Sequence, residues 1–96
     1  MLKHVVLFKF NPETSEAMID QLIDGLAALP DQIPEIREFV FGRDIIGSER
    51  SYDFALVSMF DDLEAMQRYQ GHPEHQKVLA HIKTICCNIF AADFTC

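Results

Sequence analysis

The chain is short of positive charge. Eight Lys and Arg stand against fifteen Asp and Glu among 96 residues, a net charge of −7. Nucleic acid and anionic membrane both select for clustered Lys and Arg, and here the basic residues are scattered, so neither is an expected partner. Cysteine is scarce as well. Three cysteines do not make a disulfide framework: Cys86 and Cys87 are adjacent, pointing to opposite faces of a strand, and Cys96 is terminal. They read as reduced thiols in a cytoplasmic protein. No apolar run approaches the length that spans a bilayer. Met1 leads into a strand-like run with Lys3, His4 and Lys9, where a secretion signal would carry an apolar core. There is no internal repeat.

What is present is apolar. Residues of that kind make up 49% of the chain, enough for a packed core and contrary to disorder. The length predicts a single domain over residues 1–96, burying roughly 60–65% of its unfolded surface.

Residues 2–10 read as a strand rich in branched and aromatic side chains. Alternation puts His4, Val6, Phe8 and Phe10 on one face and Lys3, Val5, Leu7 and Lys9 on the other, so both faces are apolar through the middle. Asn11 to Ser15 is a helix-start cluster. Met18, Ile19, Leu22, Ile23, Leu26 and Leu29 then form one apolar stripe at helical spacing. Pro30 and Pro34 are expected to end that helix. Strands follow at 36–42 and 52–60, joined by a polar loop. Asp61-Asp62-Leu63-Glu64 is a capping box opening a helix that reaches Gln70, with Gly71 as its expected C-terminal cap. Pro73 starts a short helix to about Lys83, and residues 85–94 are a last strand.

The order β-α-β-β-α-β predicts an α+β, ferredoxin-like fold: a four-stranded antiparallel sheet with its helices on one face. The other face stays apolar and bare, and a two-fold homodimer with sheets face to face covers it.

The segment Tyr69-Gln70-Gly71-His72-Pro73-Glu74-His75 gathers two of the four histidines and one of the two tyrosines. In one unbroken helix, residues six apart sit roughly 120° apart around the axis. The Gly71–Pro73 break lifts that constraint and lets Tyr69 and His75 face one pocket. His72-x-x-His75 supplies two metal ligands where a stable site needs three or four, so no metal is assigned. Each residue also has a plain structural reading. Tyr69 is then core, His72 a cap, His75 a lock on the break, His4 a satisfied core histidine and His81 a surface residue.

The run Lys3-His4-Val5-Val6-Leu7-Phe8-Lys9-Phe10 resembles the opening of the stress-responsive dimeric α+β barrel (Dabb) family. Tyr52-Asp53-Phe54-Ala55-Leu56-Val57 with Phe60, the pattern Tyr69-x-x-His72-Pro73-x-His75 and the terminal Asp93-Phe94 are similar to that family's later elements. The resemblance covers essentially the whole chain. It implies a dimer whose two sheets enclose a barrel lumen. Some members are stress-accumulated structural oligomers. Others, plant polyketide cyclases among them, work without a cofactor, and there the positions matching His4, Tyr69 and His75 line the pocket. Some hold a divalent cation on backbone carbonyls near the turn that Ile33-Pro34-Glu35-Ile36 resembles.

Two functions follow as expectations. One is a cofactor-free, cyclase- or lyase-like enzyme that binds a small, partly apolar carbonyl compound in the lumen, with His75 as base and Tyr69 and His4 as orienting or proton-donating groups. The other is a non-catalytic stress-associated or ligand-binding dimer in which the same residues hold the barrel together.

Overall fold

The computed structural model describes residues Met1–Cys96. Its elements are β1 (Leu2–Phe10), α1 (Glu16–Gln32), β2 (Glu38–Arg43), β3 (Phe54–Phe60), α2 (Leu63–Gly71), α3 (Pro73–Ile85) and β4 (Cys86–Thr95). The four strands form one antiparallel sheet in the order β2-β3-β1-β4. The expected α+β ferredoxin-like architecture is present, with the second helical segment divided in two.

One face of the sheet carries the helices. Leu2, Val6 and Phe8 of β1 and Phe54, Leu56 and Phe60 of β3 join Leu22, Leu26 and Leu29 of α1 and Ile82 and Ile85 of α3 in a single core. The strand alternation and the stripe on α1 meet there, as period-two and period-3.6 patterns must when a sheet packs on helices. On the opposite face, Val40, Leu7, Phe90 and Phe94 are exposed. Register places Val40, Val57, Val5 and Ala92 in one row across all four strands. This is the bare apolar face the sequence predicts.

Three boundaries differ from expectation. Helix α1 runs through Pro30 and stops at Gln32, before Pro34. Pro30 lies in the last turn and offers no N–H to the Leu26 carbonyl, yet the helix continues past it. The buried Ile33 extends the packed face, and its N–H reaches the Leu29 carbonyl at 2.9 Å. Helix α3 is 13 residues long, not short. Gly71 is the last residue of α2 rather than a left-handed cap; Gly47 is the residue with positive φ. The break is made by His72, whose extended backbone (φ −68°, ψ 136°) ends α2 and begins α3. Its Nδ1 accepts the Glu74 N–H at 3.1 Å, capping the new helix.

Leu22 is wholly buried where α1 meets the sheet. The substitution Leu22→Ala is expected to cost about 2–5 kcal/mol, read as a lower urea midpoint with unchanged slope. A loss below about 1 kcal/mol would mean that this contact does not anchor α1.

Candidate functional site

The helix break decides where the site side chains go. In an unbroken helix the Gln70 carbonyl would accept the N–H of residue 74. Here that N–H goes to His72, and the Gln70 carbonyl accepts instead from His75 Nδ1 at 3.1 Å and from Gln76 Nε2. A carbonyl cannot donate, so His75 carries its proton on Nδ1 and presents Nε2 as a lone pair. The same bond draws the imidazole against Tyr69, with ring centroids 4.4 Å apart.

Tyr69 is almost fully buried, packed on Phe60 at 4.8 Å and Phe39 at 6.2 Å between ring centroids. Burial drives its phenol pKa far above the ordinary value of 10, so it is a protonated donor at neutral pH. His75 is held below its ordinary 6.5, chiefly by burial. The Gln70 carbonyl pulls the other way, and the nearby His4 and His72 add to the lowering.

His4 reaches the same place from β1. Its cross-strand partner on β4 is Asp93, and His4 Nδ1 hydrogen-bonds the Asp93 carboxylate. The ring is thereby fixed with Nε2 free.

His4, Tyr69 and His75 all line one cavity of about 260 Å³. Phe8, Leu26, Leu56 and Ile82 form its apolar wall, and Gln70 and Gln76 add amides. Its lining residues on β4, Ile89 and Ala91, are exposed, so it opens along that edge strand. The cavity lies between sheet and helices within one protomer. His4, expected on a face of β1 that lines a lumen, is on the face that the helices cover: alternation sorts β1 into two faces but does not say which one the helices cover. His72 is occupied as a cap, and His81 lies outside, its Nε2 bonded to the Met18 carbonyl.

Sequence reasoning missed Asp93, Gln70 and Gln76 as site residues. Asp93 is 89 residues from His4, and no local spacing reveals that pair. The strand register alone could have found it.

Residues 2–96 match the family described as the Stress responsive A/B Barrel Domain. The chain belongs to this family. It is 35% identical over 82 residues to an uncharacterised protein of Streptomyces coelicolor, covering 83% of this chain and 84% of that one. It is 28% identical over 76 residues to olivetolic acid cyclase of Cannabis sativa, covering 77% and 75%. Among solved structures, a dimeric ferredoxin-like protein of unknown function from Thermobifida fusca matches with a TM-score of 0.91 at 33% identity, over 99% of this chain and 90% of that one. A dimeric ferredoxin-like protein of unknown function from Bacteroides fragilis matches at 0.89 and 26%, over 99% and 95%.

The depressed pKa of His75 has a consequence for this A/B barrel domain. Below pH 6.5 the unfolded chain takes up a proton that the folded chain refuses, so stability is full above that pH and falls below it. The carboxylates with lowered values, Glu16, Glu35 and Asp61, titrate in a lower window, beneath 4.5. Urea unfolding between pH 5 and 7 should show the loss, and His75→Gln should flatten it. An unchanged slope in the variant would assign the effect elsewhere.

Proposed function

We propose that the protein is a homodimer in which each protomer binds a small, partly apolar carbonyl compound in the cavity under α3 and acts on it by cofactor-free acid–base chemistry. The observation that carries this reading is the state of His75. Its Nδ1 is committed to Gln70, its Nε2 is free, and its ring is desolvated beside a protonated phenol. A neutral imidazole is the base that proton removal next to a carbonyl requires. The Tyr69 hydroxyl can donate to the enolate oxygen that forms, and His4, oriented by Asp93, can hold or supply the second proton. The relative named olivetolic acid cyclase supports a cyclase-like outcome. The bare sheet face, together with dimeric structural neighbours, supports the homodimer.

A second reading rests on the same bond. His75 also stitches α2 to α3 through Gln70, so it can serve a purely structural or ligand-binding dimer. Deuterium exchange separates the two. A ketone such as benzylacetone should lose its α-protons in D₂O faster with the protein than without. His75→Ala and Tyr69→Phe should each lower that rate about 10²–10⁴-fold. The wild-type rate should fall at acid pH, with its midpoint below 6.5, because the base must stay unprotonated. Exchange equal in wild type and His75→Ala would leave the structural reading.

The dimer has its own check. Val40 is exposed on the bare face. Val40→Glu should convert a dimer into a folded monomer by solution mass measurement, while a wild-type monomer would sink the dimer.

A further inference from the structure

The lining of the cavity has a chemical character that goes beyond the groups assigned above. Of its 14 lining residues, 10 are hydrophobic, and the other four are His4, Gln70, His75 and Gln76. No Lys, Arg, Asp or Glu is among them. Two of the basic side chains that flank lining residues of the helices are turned to other tasks. Lys77 pairs with Glu74 at 3.1 Å and lines a separate groove between α1 and α3, and Arg68 pairs with Glu35 at 3.0 Å. The one ionic group that touches a polar lining residue is the Asp93 carboxylate behind His4, and it is negative.

Resting on the cavity reading above, we infer that this site selects an uncharged ketone carrying one short apolar arm and discriminates against the matching carboxylate. A carboxylate entering the cavity would leave water without meeting a Lys or Arg side chain. Burial of an unpaired charge costs far more than burial of a neutral carbonyl that finds a donor. Tyr69 supplies such a donor, and Gln70 and Gln76 are uncharged lining residues beside it. Asp93 repels an anion through His4, and the net charge of −7 lowers the local concentration of anions around the whole molecule.

Volume limits the ligand as strictly as charge does. A cavity of about 260 Å³ that opens along β4 takes a ligand of modest size. The apolar arm lies against Phe8, Leu26, Leu56 and Ile82, and the carbonyl turns toward Tyr69 and His75. A bulky activated thioester has no room inside and would have to leave most of its mass outside the β4 edge.

Benzylacetone and hydrocinnamate test this directly. They differ in one substituent, the ketone methyl against a carboxylate oxygen, and match closely in size. Each is titrated into the intact protein at neutral pH while backbone amide signals are followed by NMR. Benzylacetone is expected to shift the signals of Tyr69, His75 and Ala91 and to bind about tenfold or more tightly than hydrocinnamate, a difference of about 1.4 kcal/mol or more. Gln76 is exposed on α3, so Gln76→Lys places a cation at the lining without disturbing the core. It should narrow or reverse the ratio by raising hydrocinnamate affinity. Equal affinities at those same residues overturn the charge selection and leave the cavity intact as a binding site. Shifts that avoid the lining residues for both compounds overturn the cavity reading itself. The deuterium exchange rate is independent of either result, so a site that binds the ketone without turning it over still supports the selection.

Discussion

Strand β1 is central in the sheet and apolar on both faces. A strand in that position must be covered twice, and the two covers are different in kind. The helices take the face of Leu2, His4, Val6 and Phe8. The face of Val5 and Leu7 continues across Val57, Ala92 and Val40 as bare apolar surface. A helix layer can be supplied within the chain, because two β-α-β crossovers put both helical segments on one side. The second cover has to come from outside. The site follows from the same division. His4 is the one titratable residue on the helix-facing side of β1, so the polar end of the cavity forms where β1 and β4 pass beneath the junction of α2 and α3.

That junction converts a backbone defect into a functional arrangement. Ending α2 at Gly71 frees the Gln70 carbonyl, which must find a donor because part-buried backbone acceptors are costly to leave unpaired. His75 and Gln76 supply two. The bond stabilises the break and at the same time decides the tautomer of His75, so a structural role for this residue is compatible with the proposed chemical one. One hydrogen bond closes the helix turn and aims the remaining lone pair of the ring.

Much of this was legible in the sequence. The order of elements, the stripe on α1, the helix start at Asp61–Asp62 and the break between Tyr69 and His75 all rest on local patterns with a short physical range; the cap itself is Asp62, on the Ala65 N–H, and not Asp61 paired with Glu64. What was illegible rests on long range. Alternation along β1 could not tell the helix side from the open side, so it could not place His4 on the side that the helices cover. Pro30 looked like a terminator because propensity counts the missing N–H and not the pull of the buried Ile33. His72 rather than Gly71 ends α2 because a side-chain cap can stand in for a left-handed residue. Asp93 became visible only through the pairing of the first strand with the last.

The charge of the ligand and the state of the base are linked. Burial keeps His75 neutral by a margin set by desolvation, with the Gln70 carbonyl opposing it. An anion placed beside the ring would act as carboxylates do on imidazoles generally and favour the protonated form. It would therefore consume the lone pair that proton abstraction needs. A cation in the lining would have admitted anions, and its like charge would also have lowered the basicity of His75, weakening the base in the other direction. A cavity lined by imidazoles, a phenol and hydrocarbon, with no Lys or Arg, limits both outcomes. On the proposed reading, the absence of Lys, Arg, Asp and Glu from the lining serves the chemistry as much as it filters what enters. On that reading, an uncharged ligand is the one that leaves His75 neutral.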